Sequence, residues 1–190
     1  MNIKDYEYDQ ENFNKQALIA LQKKEEADSK LIEIEEKQKA SGSLSMDYYN
    51  AYLDYMATDN AHMKTCLDYI KYYYDAMNFY GANSINPAYK DLADEAEKLF
   101  DRYARYYDKL SKAENSFRQT LSQAEASSVM LNENQKYAFI HMGLMESDRV
   151  HLEVHTIVEN FRTKKVFPFF EKCEMLMPEA FDDENKEPNA

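Results

Sequence analysis

Glycine and proline, the residues that most often interrupt helices, are scarce in this 190-residue chain, which has three glycines and four prolines. Positions 4–40 contain neither, and they are rich in Ala, Leu, Glu, Lys and Gln, all good helix formers. Folds built from many short strands need frequent turns, and turns favour glycine and proline. The sequence therefore predicts an all-α fold with a few long helices.

The few turn-forming residues divide the chain into four helices joined by short loops. Gly42 interrupts the first helical stretch, Gly81 is expected to end the second helix, and Asn86-Pro87 is typical of a helix start. Ser45 is expected to cap the start of the second helix, and Asn132 with Gln135 resembles a capping box at the start of the fourth. The predicted helices cover about 4–40, 44–80, 87–131 and 133–177, the last with a kink at Pro168, in one domain of residues 1–178. Residues 179–190 are predicted to be an acidic disordered tail.

Apolar residues of the second helix follow the heptad spacing of coiled-coil packing, and a flanking row of tyrosines widens this face beyond one seam. The heptad positions are Tyr49, Leu53, Met56, Asn60, Met63, Leu67, Ile70, Tyr74 and Met77. The apolar series of the third helix ends at Leu131 and resumes at Tyr137, a step that fits no helical period. This phase change favours a chain reversal over one fused helix. Long helices that reverse through short loops pack as an elongated antiparallel four-helix bundle with coiled-coil-like packing.

The charge and the apolar pattern exclude several kinds of partner. The chain has 35 acidic and 23 basic residues, a net charge of −12, and nucleic-acid affinity comes mostly from cation–phosphate contacts. No apolar run approaches the roughly 18 residues of a membrane span, and no signal-peptide pattern opens the chain. Two lone cysteines, Cys66 and Cys173, suit a reducing compartment. We expect a cytoplasmic protein with no direct nucleic-acid or membrane partner.

Histidines supply one pattern that is compatible with a metal site. His151 and His155 lie four residues apart, and Asp148 precedes His151 by three, so these three side chains could converge on one helix face. Asp59 and His62 form a second acid–histidine pair, loosely similar to the di-metal sites of helical bundles. The alternative is that His151 packs in the apolar seam. The leading prediction contains no metal and no cofactor.

No catalytic pattern stands out in the chain. Both cysteines lie in apolar segments and are predicted to be small buried side chains. A phosphate-binding loop needs clustered glycines, and the three glycines here are scattered. With 35 acids in the chain, no single pair of carboxylates is distinctive. We therefore predict that the protein is not an enzyme and has no catalytic residues.

Tyrosine is concentrated in the second and third helices, which hold thirteen of the sixteen. Consecutive tyrosines such as 72–74 cannot all face one core, because neighbours on a helix diverge by about 100°. Tyrosine is enriched at interfaces, and Arg or Lys of a partner can pair with carboxylates and stack on rings. We therefore predict a binding surface for a basic protein on the second helix. Its residues are Tyr55, Tyr72, Asp54, Asp59, Asp68 and Asp75.

Two segments resemble the helices of BAR domains, which are membrane-curving helical scaffolds. The middle BAR helix is similar to residues 100–113, where the sequence FDRYARYYDKLSKA repeats aromatic, Asp and Lys residues. The closing helix is similar to residues 148–176. The resemblance implies a membrane-associated scaffold that binds anionic lipid through a basic concave face.

The leading prediction for function is a non-enzymatic protein-interaction module that acts as an adaptor, a chaperone-like subunit or an inhibitor. Three alternatives stay open: the BAR-like scaffold, a metal-binding four-helix bundle, and an acidic nucleic-acid mimic that blocks a DNA- or RNA-binding protein. A homodimer is compatible with each of them. The apolar segment with Phe167, Phe169 and Phe170 is a competing binding site, which we expect instead to fold back over the end of the bundle.

Overall fold

The computed structural model describes residues 3–42, 45–127 and 130–177, with side chains from residue 12 onward. Within these ranges the chain forms four long helices and no strands. The long helices are α1 (Ile3–Ser41), α2 (Met46–Ala82), α3 (Ala88–Ala126) and α4 (Glu133–Phe161). A π-helical turn, Arg162–Val166, leads into a short α5, Phe167–Leu176. The predicted all-α four-helix bundle is confirmed, and the predicted tail at 179–190 lies outside the described residues.

Consecutive long helices pack side by side and run in opposite directions. Phe13 near the start of α1 contacts Tyr72 near the end of α2, whereas Lys30 further along α1 contacts Asp54 near the start of α2. A helix of 39 residues, the length of α1 and of α3, is about 58 Å long at 1.5 Å per residue. The bundle is therefore elongated, as the spacing predicted.

The reversal between α3 and α4 is confirmed, although α3 ends at Ala126 rather than at the predicted residue 131. Asn132 and Gln135 form the predicted capping box, in which the Asn132 side chain accepts from the Gln135 N–H at 2.9 Å. An N-cap residue needs extended backbone, and Asn132 has it, so the residues just before it leave the helix. At the start of α2, Ser45 accepts a hydrogen bond from the Tyr48 N–H, as predicted.

The helix interruption near Pro168 lies one turn earlier than predicted. Pro168 is in the first turn of α5, and the irregular backbone is the π-helical turn before it, where Phe167 donates its N–H to the Arg162 carbonyl. Proline lacks an N–H and its ring crowds the carbonyl four residues before it, here that of Lys164. A wider turn at 162–166 relieves that crowding, so α4 ends at Phe161 and the chain stays helical through the proline.

Gly81 does not end α2 as predicted but lies inside the helix, close to the first turn of α3. A Cβ atom on Gly81 would stand 3.2 Å from the Cβ atom of Tyr89. Glycine at this position therefore allows α2 and α3 to approach closely near their connection. The helix continues to Ala82, and Asn83 then donates its N–H to the Tyr80 carbonyl.

Two apolar clusters fill the bundle, one on each side of a polar layer at Asp59 and Asn60. The cluster toward the α1–α2 loop contains Tyr49, Met56, Phe117, Ile140 and Leu144, and the other contains Met63, Ile70, Tyr73, Tyr103, Val158 and Phe169. Most of the predicted heptad positions of α2 are buried, but Tyr74 is 36% exposed and Tyr73 is buried instead. Phe169 is fully buried, so the apolar terminal segment packs on the bundle, but it does so as a helical continuation of α4 and does not fold back as expected.

Candidate functional site

The polar layer is centred on Asp59 of α2, whose side chain is fully buried. Its Oδ2 lies 3.2 Å from Nε2 of His151, and its Oδ1 lies 3.5 Å from both Nε2 of His155 and Nζ of Lys24. Neither oxygen accepts a hydrogen bond of ideal geometry from the described residues, so these contacts are polar and loosely aligned. The carboxylate thus links α1, α2 and α4 at mid-length.

Asn60, the next residue of α2, extends the polar layer to α3. Its side-chain amide donates to the Leu110 carbonyl at 3.3 Å and to Oε2 of Glu114 at 2.8 Å. Glu114 in turn pairs with Arg118 at 2.7 Å. Because neighbouring residues on a helix point in different directions, one Asp-Asn pair supplies polar contacts to all three other long helices.

The ionisable groups of the polar layer have shifted pKa values. Burial acts to raise the pKa of the Asp59 carboxyl, but the contacts with His151 and His155 outweigh burial and hold it well below its usual value. The contact with Asp59 raises the pKa of His155, against the opposing effect of burial. Burial lowers the pKa of His62, and the charge of nearby Arg162 adds to that effect. Asp59 is therefore held as an anion that favours protonation of His155.

The residues named as metal candidates do not converge as the sequence suggested. His151 and His155 both face Asp59, whereas Asp148 accepts a hydrogen bond from the Tyr52 hydroxyl. Within 3–42, 45–127 and 130–177, no group of three or more His, Cys, Asp or Glu side chains is arranged to hold a metal ion. The ammonium of Lys24 already supplies a cation beside the Asp59 carboxylate. Asp59, Lys24, His151 and His155 thus form a polar contact between three helices in the bundle interior.

The surface predicted for a basic partner is only partly exposed. Asp54 and Asp75 are exposed, while Tyr55 and Asp68 are half-buried. Tyr72 is only 5% exposed, and Asp59 is fully buried, so the expectation that they face outward is wrong. The ring of Tyr72 packs against Phe13 of α1, and the ring of Tyr55 packs against His151 of α4.

The reason for this difference is that α2 is covered on three sides. A heptad series describes a helix with one seam, but α2 packs against α1, α3 and the α4–α5 segment. Tyr72 lies on the side that α1 covers, and Tyr73 lies under α5, where its hydroxyl donates to Glu174 at 2.8 Å. Tyr74, assigned to the core by the heptad series, is the member of this tyrosine run that reaches the surface.

Acids on the outer sides of α2 and α3 form two rows with a spacing of seven or fourteen residues, and all of them are exposed except the half-buried Asp68. The α2 row contains Asp47, Asp54, Asp68 and Asp75, and the α3 row contains Asp94, Asp101 and Asp108. Lysines pair with Asp54, Asp68 and Asp108 at 3.7, 2.6 and 2.6 Å. Because a helix repeats its faces about every seven residues, each row follows one side of its helix.

A groove of about 260 Å³ opens between α2 and α3 where these two rows approach each other. Tyr74 and Phe100 provide its aromatic surface, and Asp75, Glu97 and Asp101 provide carboxylates, with Lys71 as the one cation of the lining. Within the described residues, no cation lies within ion-pair distance of Glu97 or Asp101. We refer to this feature as the α2–α3 groove. The sequence signalled its acids and tyrosines, but the contribution of α3 needed the tertiary structure.

Both cysteines are buried and form no disulfide, as predicted. Burial raises the pKa of the Cys66 thiol to about 11 and that of the Cys173 thiol to about 12. A thiol becomes nucleophilic by losing its proton, so neither group is activated at neutral pH.

Comparisons with protein-family models, with curated proteins and with solved structures found no match to this chain. None of the helices in the described ranges has the long apolar stretch that crossing a bilayer requires.

Proposed function

We propose that this protein is a non-enzymatic protein-interaction module that binds a basic segment of a protein partner in the α2–α3 groove. The observation that carries the proposal is the position of Tyr74, which is exposed beside Phe100 and between carboxylates of two helices. A guanidinium or ammonium group over an aromatic face gains about 0.5–1 kcal/mol at an exposed site and about 2 when desolvated. Flanking carboxylates add charge-assisted hydrogen bonds to the same group.

The net charge of the chain supports the same class of partner. At −12, the protein attracts basic surfaces over distances of about one Debye length, roughly 8 Å at physiological salt. The acidic rows of α2 and α3 extend this field along the bundle on both sides of the groove. Charge attraction then accelerates the encounter, and the aromatic pair in the groove selects the bound side chain. This arrangement suits an adaptor or an inhibitor of a basic protein.

A fluorescent peptide that contains arginine tests the proposal, with a citrulline peptide of the same sequence as the uncharged comparison. We expect fluorescence polarisation to show binding of the arginine peptide that weakens as salt is added, and little binding of the citrulline peptide. Tyr74→Ala and Glu97→Gln should each weaken binding by about tenfold, the effect of losing about 1.4 kcal/mol.

The matched control is Glu125→Gln, which removes the same charge from an exposed position of α3 far from the groove. This variant should bind the arginine peptide as the unchanged protein does. Equal binding of the arginine and citrulline peptides, or equal loss in Glu97→Gln and Glu125→Gln, would show that the groove does not select a cation. The proposed function would then be wrong.

A further inference from the structure

The solvent-facing side of α4 carries a second apolar feature, separate from the α2–α3 groove. Its exposed residues include a heptad row with alternating steps of four and three: Ala138, Met142, Met145, Arg149, Leu152 and Thr156. Met142, Met145 and Leu152 are 71%, 62% and 54% exposed. We call these six residues the outer row of α4. The opposite side of the helix, with Ile140, Leu144, Val154 and Val158, is buried against the bundle.

Such a row is unusual on a helix that already buries one complete face. An amphipathic surface helix normally presents one apolar stripe to the core and polar residues to solvent. Here a second stripe with coiled-coil spacing points away from the core, and two of its members are methionines, which adapt well to helix packing. Contiguous exposed apolar residues of this kind mark interaction sites more often than isolated ones do.

We propose that the outer row of α4 pairs with the outer row of a second copy of this chain, antiparallel, about a two-fold axis that crosses the row midway between Met145 and Arg149. Because an isologous contact matches residue i with j and j with i, this axis sets Met142 against Leu152 of the second copy. It also sets Met145 against Arg149 of the second copy, and Ala138 against Thr156. Met142 and Leu152 then meet each other, Met145 meets the aliphatic stem of Arg149, and Ala138 meets the small side chain of Thr156.

Charge complementarity favours this occupant and this direction. Glu146 and Arg149 are both exposed, and in the described part of the chain neither forms an ion pair. In the antiparallel register, Arg149 of one copy reaches the turn that contains Glu146 of the other, and the symmetry forms the same pair twice. A parallel arrangement would set Arg149 against Arg149, and like charges in contact are unfavourable. The row is thus self-complementary in one direction only.

Sedimentation equilibrium of the full chain over a range of concentrations tests this proposal. We expect a reversible dimer of twice the 22.4 kDa chain mass. Met145→Glu should return the protein to a monomer. Met175→Glu is the matched control, because Met175 is 86% exposed on α5 and lies outside the outer row. Both methionines are exposed, so far-ultraviolet circular dichroism should be unchanged in both variants.

Charge reversal then tests the register. Arg149→Glu and Glu146→Arg should each weaken dimerisation by about tenfold or more, and the double variant should recover most of the lost affinity. A monomer at all concentrations would overturn the proposal, as would a dimer that survives Met145→Glu. Failure of the double variant to recover affinity would overturn the antiparallel pairing. None of these outcomes depends on peptide binding in the α2–α3 groove, so the two proposals are tested separately.

Discussion

Oδ2 of Asp59 and Nε2 of His151 lie 3.2 Å apart in the interior of the bundle, and both side chains are fully buried. A buried carboxylate is costly unless polar or oppositely charged groups accompany it, so Asp59 depends on the side chains that surround it. With Lys24 and His155 on the other carboxylate oxygen, Asp59 fixes α1 and α4 to the same point of α2. The alignment of three helices therefore depends on one carboxylate.

Replacing Asp59 with alanine should strongly destabilise the protein. Removing one partner of a buried ionic contact typically costs about 3–5 kcal/mol, because the groups that remain lose the side chain that compensated them. We expect urea denaturation to give a free energy of unfolding lower by that amount. Asp54→Ala removes the same side chain from an exposed position of α2 and should change stability by less than about 0.5 kcal/mol. Equal losses in the two variants would contradict the role given to Asp59.

The ion pair of Asp59 and His155 should make stability depend on pH. The raised pKa of His155 stabilises the fold below about 6.5, its unfolded value, and the contribution is lost as pH rises through the folded value. The lowered pKa of Asp59 stabilises the fold above about 3.9, and that contribution is lost as pH falls through the folded value. The pair is therefore most stabilising between about pH 4 and pH 6.5.

Comparing the unchanged protein with His155→Gln isolates this effect. The charges of Asp59 and Glu159 both raise the pKa of His155, and the charge of Lys24 lowers it. The variant therefore removes one ionisable group from a cluster of several. The lowered pKa of His62 opposes stability in acid, but it is present in both proteins and cancels. We expect the difference in unfolding free energy to be larger at about pH 5.5 than at about pH 8.5. A difference that is constant with pH would argue against a charged His155.

Gly143 allows α4 to lie unusually close to α3. A Cβ atom at this position would stand 2.5 Å from Cγ2 of Thr120 and 2.7 Å from its Oγ1. In an ordinary helix interior, replacing glycine with alanine stabilises by about 1 kcal/mol. Here Gly143→Ala should instead cost about 1–3 kcal/mol, as other overpacked contacts do. Thr120→Ala combined with Gly143→Ala should recover most of the lost stability in thermal denaturation. If the double variant is no more stable than Gly143→Ala alone, contact with Thr120 is not the source of the loss.

The aromatic residues of α5 should differ sharply in their contribution to stability. Phe169 is fully buried and its ring lies edge-on to that of Tyr73, whereas Phe167 is 41% exposed. Truncating a buried phenylalanine typically costs about 3–5 kcal/mol, so Phe169→Ala should lower the unfolding free energy by about that amount. Phe167→Ala should cost much less. If the two variants have equal stability in urea, α5 is not docked on the bundle as described.

The sequence predicted the helices well because their signals are local. The Ser45 cap and the Asn132–Gln135 capping box are hydrogen bonds within one helical turn. The scarcity of glycine acts in the same direction, because it leaves few positions where a helix is easily interrupted. The displaced interruption near Pro168 also has a local cause, the carbonyl of Lys164, but proline patterns alone do not reveal how the backbone adjusts.

The candidate site was harder to predict because it depends on which helix covers which side of α2. Tyr72 and Tyr74 differ by two positions, yet α1 buries the first and leaves the second exposed. The partner of the two histidines was hard to predict for the same reason, because it depends on how the helices are aligned. Asp148 is the nearest acid in sequence, but the parallel alignment of α2 with α4 brings Asp59 to His151 and His155. Asn60, a polar residue within an apolar series, was the local signal of that layer.

A titration followed by two-dimensional ¹H–¹⁵N NMR tests the central claim, binding of a basic segment in the α2–α3 groove, most directly. As the arginine peptide is added, the amide signals of residues around Tyr74, Glu97 and Phe100 should shift progressively, while those on the outer row of α4 stay in place. The citrulline peptide should leave the spectrum unchanged. Shifts spread evenly over the acidic surface, or shifts confined to another part of the bundle, would contradict the account.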